Sequence, residues 1–202
     1  MELIYILDMI GIFAFSVYGA YVALEKGFDI FGIGVCAFLT ALGGGTIREL
    51  ILNHTPFYLF DYNYMYVIMV GVVFAIAAYY NFTKINRYML IIDAIGLATF
   101  AFIGSQRAID AGLGIIGTMF FAVLTAVGGG MLRDALVKEI PKNLYMDFYA
   151  TPTMILGALL YFFREYAQNR YFVYGLILLV FGIRCVAIYM RADLWGPFRK
   201  KK

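Results

Sequence analysis

Charge is scarce in this chain, and so are the residues from which soluble active sites are built. Lys, Arg, Asp and Glu make up 14% of its 202 residues, against 63% hydrophobic side chains. A soluble domain is about half apolar and about a quarter charged. So little polar surface cannot cover so much apolar side chain in water, but lipid removes the need for cover. The mean hydropathy of +0.82 points the same way. The two cysteines, Cys36 and Cys185, lie inside apolar runs, which argues against a disulfide framework. His54 is the single histidine, too few for a transition-metal cluster. There is no nucleophile–His–acid set and no Lys-Ser/Thr after a glycine loop, so no enzyme and no cofactor are expected. The N-terminus, MELIYILDMIG, has no basic region and no small-residue cleavage site, and it reads as a retained first span.

What the chain has in abundance is long apolar stretches. Crossing a bilayer takes about 20 apolar residues. Seven stretches qualify, at about 3–24, 30–52, 60–80, 88–107, 113–137, 147–163 and 171–190. The expected class is an all-α integral membrane protein of seven helices, with connections too short for a second domain. Lys26, Lys84, Arg87, Lys138, Lys142, Arg191, Arg199 and Lys200 to Lys202 fall on one side, and Arg107, Arg164 and Arg170 on the other. That bias predicts an outside N-terminus and a cytoplasmic C-terminus in a cell membrane. The basic tail reads as a topology and lipid-headgroup signal, with no nucleic-acid partner. Tyr58, Phe60, Tyr62, Tyr64 and Tyr66 read as an interfacial aromatic belt.

The chain also matches itself at a shift of 85 residues, as from Asp8 to Asp93. ILDMIGIFAF answers IIDAIGLATF, and TALGGGTIREL answers TAVGGGMLRDA. Gly19 pairs with Gly104, Gly27 with Gly112, Arg48 with Arg133, and Pro56 with Pro141. Such agreement marks a duplicated unit. Repeat one is 1–84, repeat two is 86–166, and 167–202 holds a seventh helix and the basic tail. Three spans per copy is an odd number, so the second copy should be inverted, an architecture that sets permeant sites at the repeat interface.

Gly43-Gly44-Gly45 and Gly128-Gly129-Gly130 fall inside the second and fifth spans. Each glycine weakens a helix by about 1 kcal/mol relative to alanine, so the triplets are expected to kink or unwind it. The competing reading is close packing of small residues. Each triplet precedes a charge pair, Arg48-Glu49 or Arg133-Asp134. Charge at depth needs a partner, protein interior or water, so each acid is expected to neutralise the Arg of its own or the other copy. The alternative is that both pairs are solvated at the interface. Asp8 and Asp93 can cap helices, pair with the arginines or draw cations into two vestibules. Ser16, Thr40, Thr99, Ser105 and Thr125 are candidate hydroxyl lining, although each alone is more often bonded to its own helix. Arg184, in the last span, needs a partner that the sequence does not identify.

At GGGTIRE (43–49), GGGMLRD (128–134) and the two I-x-D-x-I-G segments, the chain resembles the prokaryotic branch of the trimeric intracellular cation channels. The first copy has Glu49 where that motif more often has Asp. The motif is also similar to a related bacterial inner-membrane family of glycine-transporter-like proteins, so it does not separate channel from carrier. The channel resemblance implies a homotrimer among membrane lipids, with potassium as the permeant partner. It implies one pore inside each subunit, lined by the triplet helices together with the first and fourth helices. On physics alone, half-helix N-termini and two arginines suit a carboxylate, which makes a glycine carrier the alternative.

Overall fold

In a computed structural model, residues 2–82, 86–141 and 149–190 are described. They form seven α-helices: α1 (Glu2–Glu25), α2 (Ile30–Ile51), α3 (Asn63–Phe82), α4 (Asn86–Asp110), α5 (Ile115–Leu136), α6 (Thr151–Phe162) and α7 (Arg170–Met190). Two short 3-10 turns, Phe57–Leu59 and Arg164–Tyr166, lie between them. Among the described residues five helices (α1, α2, α4, α5, α7) are long and apolar enough to cross a membrane. α3 and α6 are apolar too, but α6 is only 12 residues long. The protein is an all-helical, multi-pass membrane protein. Lys84, Lys142, Arg191 and the basic tail lie outside the described residues.

The two copies end their helices alike. Gly27 and Gly112 turn out of α1 and α4 with φ of +70° and +73°. Asn53 and Lys138 follow α2 and α5, both with φ of 57°. After each, an amide returns to the last turn: His54 N to Glu49 O at 2.8 Å, and Glu139 N to Asp134 O at 2.9 Å. These left-handed caps satisfy carbonyls at the helix ends, and Pro56 and Pro141 then keep the helices from resuming.

The glycine triplets do not break their helices. α2 and α5 each run as one uninterrupted α-helix across the triplet. The absence of side chains is spent instead on backbone approach. A Cβ on Gly44 would lie 2.3 Å from the Thr125 carbonyl oxygen, and one on Gly129 would lie 2.1 Å from that of Thr40. Helices in lipid gain little from hydrophobicity when they associate, so close van der Waals contact decides where they cross. The expectation of an unwound segment is corrected accordingly: tertiary packing outweighs the weak local propensity of glycine.

Successive contacts along α2 meet α5 in reverse order, so the two helices cross antiparallel. Their surroundings agree. Lys26, before α2, pairs with Glu139, after α5, while Arg107 near the end of α4 lies over Phe57 beyond α2. α1 and α4 cross in a matching way. Phe15 and Phe100 meet edge to face at 5.0 Å, Phe15 filling the space above Gly96 and Phe100 the space above Gly11. α1, α2, α4 and α5 therefore form the centre, with α3 against α1 and α6 against α5 and α4. α7 has no counterpart in the repeat and packs on α4 and α6.

If the crossing rests on missing side chains, one methyl group there should be disruptive. Gly129→Ala should destabilise by about 2–3 kcal/mol. Gly34→Ala, on α2 where nothing lies within 4 Å of the added Cβ, should change stability by no more than about 1 kcal/mol. Thermal melting in detergent measures both; equal melting of the two variants contradicts the crossing.

Candidate functional site

The charged residues of the two motifs are buried. Arg48 and Glu49 are 4% and 1% exposed, Arg133 and Asp134 1% and 0%. The reading of these pairs as solvated interface groups is thereby excluded. Each Arg is neutralised within its own copy. Arg48 Nε donates to Glu49 Oε1 at 2.8 Å. Arg133 donates from Nε and Nη2 to Asp134 Oδ1, at 2.8 and 2.7 Å. The Arg133 guanidinium also lies 4.6 Å over the Tyr18 ring.

Asp8 and Asp93 take tyrosine partners. Tyr64 OH donates to Asp8 Oδ2 at 2.8 Å, and Tyr149 OH donates to Asp93 Oδ1 at 3.0 Å. Tyr64 and Tyr149 are themselves related by the 85-residue shift, a signal available in the sequence beyond the stretch where identity is dense. Tyr64 is buried, so its assignment to an aromatic belt is corrected; Phe60, Tyr62 and Tyr66 remain exposed. Tyr58 accepts a hydrogen bond from Thr46.

Four of the five candidate hydroxyls bond to their own helices. Ser16 donates to Phe13 O, Thr40 to Cys36 O, Thr99 to Ile95 O and Gly96 O, and Ser105 to Ala101 O. Thr125 differs: its Oγ1 is buried with no hydrogen-bond partner among the described residues. The same holds for Glu49 Oε2, which lies 3.4 Å from His54 Nδ1. Both residues border one small cavity of about 30 Å³, room for about two water molecules. Asp8, Arg48, Tyr64 and Gly45 line it too. Its charged lining is thus two carboxylates and one guanidinium, the latter already bonded to Glu49.

The structure gathers Asp8, Arg48, Glu49, Gly45 and Thr125 around this cavity on the first-copy side. Asp93, Arg133 and Asp134 form the equivalent buried cluster toward the other side, beyond the crossing of Gly43, Gly44, Gly128 and Gly129. Gly130 is buried within α5. Ser16, Thr40 and Thr99 do not border the cavity. Among the described residues no group of His, Cys, Asp and Glu is arranged to hold a metal ion as a ligand cluster.

Losing one partner of a buried ion pair leaves the other charge stranded. Arg133→Ala should therefore destabilise by about 3–5 kcal/mol. Arg133→Lys should fall between, because it keeps the charge but loses the planar fork and the stacking on Tyr18. Lys26→Ala removes an ion pair that is about a third exposed (37% and 33%) and should matter by less than about 1 kcal/mol. Thermal melting of the three variants checks the order; a harmless Arg133→Ala contradicts it.

The comparisons with known proteins follow the same duplication. A family model described as "Glycine transporter" matches residues 5–80 and again residues 90–165. A UPF0126 membrane protein of Deinococcus radiodurans is 38% identical over 148 residues, 72% of this chain and 69% of its own. The UPF0126 inner membrane protein YadS of Escherichia coli is 38% identical over 157 residues, 77% and 76% of the two chains. Among solved structures, a chain from work on conductance through TRIC cation channels superposes with a TM-score of 0.87 at 32% identity, covering 98% of both chains. The TRIC trimeric intracellular cation channel orthologue from Rhodobacter sphaeroides superposes at 0.86 with 31% identity, covering 94% of this chain and 99% of its own.

Proposed function

The chain belongs to the bacterial TRIC/UPF0126 membrane family, and on that premise we propose that it is a cation channel, with potassium the main permeant ion. The observation that carries this reading is the first-copy cavity. Its charged lining is acidic on balance, and two of the residues that border it, Glu49 and Thr125, each carry a buried side-chain oxygen without a hydrogen-bond partner among the described residues. Oxygen donors of this kind replace part of the hydration shell of a monovalent cation, and the carboxylates raise its local concentration. The path runs inside one subunit, from the Asp8–Glu49 cavity across the α2–α5 contact to the Asp93–Asp134 cluster. The protein assembles as a homotrimer, like the trimeric channel orthologue it resembles, with the Asp8 end outside and the C-terminus cytoplasmic.

The name of the matching family model favours a second reading, a carrier of a small amino acid such as glycine. A carboxylate substrate would use free half-helix N-termini and an available guanidinium. Here α2 and α5 are continuous, and the Arg48 and Arg133 side chains are paired with their own acids, although Arg133 Nη1 is buried without a hydrogen-bond partner among the described residues. Both features weigh against the carrier.

Purified protein in planar bilayers under asymmetric potassium chloride separates the two. The channel reading expects unitary currents reversing near the potassium equilibrium potential. Saturable glycine uptake without unitary currents would establish the carrier instead. Thr125→Val, which keeps the shape and removes the unpartnered hydroxyl, should lower unitary conductance roughly twofold or more while melting stays near wild type.

A further inference from the structure

The duplicated core treats its two aspartates differently, and the difference comes from outside the repeat. At the first-copy end, Tyr64 holds Asp8 and has the ring of Tyr5 edge-on at 6.2 Å. At the other end, Tyr149 holds Asp93, and the guanidinium of Arg184 lies 4.6 Å from the centre of the Tyr149 ring. Arg184 belongs to α7, which neither copy contains. On α7, Val173, Leu176, Val180, Arg184 and Ala187 form one buried stripe, and Arg184 is 3% exposed. A guanidinium in an apolar stripe at membrane depth is costly to bury, so a purely packing role would be met better by Leu or Met.

A cation over the face of a phenol withdraws electron density from the ring and makes its hydroxyl a stronger donor. In the Arg184–Tyr149–Asp93 chain a cation therefore reinforces the hydrogen bond that holds Asp93. Asp8, intermediate in exposure, borders the cavity; Asp93 is 2% exposed.

We propose that Arg184 is a positioning residue for the cation path: acting through Tyr149, it holds the Asp93 carboxylate in place and gives α7 control over one end of the path. This rests on the channel reading. In it, Asp8 is the acid that attracts ions and Asp93 is the acid that is held. Releasing Asp93 adds an available carboxylate at the second end and should increase cation throughput.

The test is a double-mutant cycle on unitary conductance in low-salt potassium chloride, with thermal melting in parallel. Arg184→Met and Tyr149→Phe should each raise conductance by about twofold, and together no further than either alone. Arg184→Met combined with Tyr64→Phe should give independent, multiplied effects. The increase should shrink in 1 M salt, where screening lengths are only about 3 Å. Arg184→Lys, which keeps charge and fold, should give a smaller increase and serves if the Met variant fails to fold. Altered melting with wild-type conductance in the Met or Lys variant would overturn the assignment and leave Arg184 as a docking residue. Independent effects of Arg184 and Tyr149 would also overturn it. A wild-type protein without unitary currents overturns the channel reading itself, a distinguishable failure.

Discussion

The structure depends on two places where backbone meets backbone without a side chain between. Gly44 lies against the Thr125 carbonyl and Gly129 against the Thr40 carbonyl, so α2 and α5 cross at contact distance. In lipid this closeness holds helices together, because the apolar surface gains nothing by leaving one hydrocarbon for another. The crossing sits on the relation between the two copies, and each contact therefore occurs twice. The same relation sets Phe15 on Gly96 and Phe100 on Gly11 between α1 and α4. Four central helices are thus fixed at two symmetric crossings, and the charged groups take their places on either side. Arg48 and Glu49 follow the first triplet within α2, and Arg133 and Asp134 follow the second within α5. The antiparallel crossing sends the two pairs toward opposite ends.

Much of this was legible in the residues. The apolar stretches predicted the helices to within a few residues at most ends, and the repeat predicted the pairing of Asp8 with Asp93 and of Arg48 with Arg133. The consequence of the triplets was not legible locally: three glycines suggest backbone freedom, whereas each helix stays continuous and uses the missing side chains for approach. Propensity is local, and the neighbour that rewards a bare backbone lies about 85 residues away in the chain. Tyr64 was hidden by its company, since three aromatic neighbours face outward and suggested a belt. Its counterpart Tyr149 was the available clue. Arg184 could not be paired from the sequence, because α7 has no second copy to compare.

Symmetry also makes the departures from it informative. Thr40 and Thr125 are equivalents, yet Thr40 donates to Cys36 O while the Thr125 hydroxyl, buried against Gly104, has no hydrogen-bond partner among the described residues. Arg133 rests on Tyr18, whereas the position equivalent to Tyr18 in the second copy is Ile103, so Arg48 has no matching ring there. The first-copy end therefore keeps the cavity and the unpartnered oxygens, and the second-copy end is packed with aromatic rings under its guanidinium groups. In the proposed channel these are unequal ends of one path. The ion meets an acid-lined cavity at one and a braced cluster at the other.

The central claim is that a cation, and not a carboxylate, occupies the cavity beside Glu49 and Thr125 within a single subunit. Anomalous diffraction from crystals soaked separately in rubidium and bromide salts tests it most directly. The account predicts a rubidium peak within coordinating distance of Glu49 Oε2 and Thr125 Oγ1 in every subunit, and no bromide there. Bromide beside Arg48 with no rubidium in the cavity, or rubidium only on an axis between subunits, would contradict it.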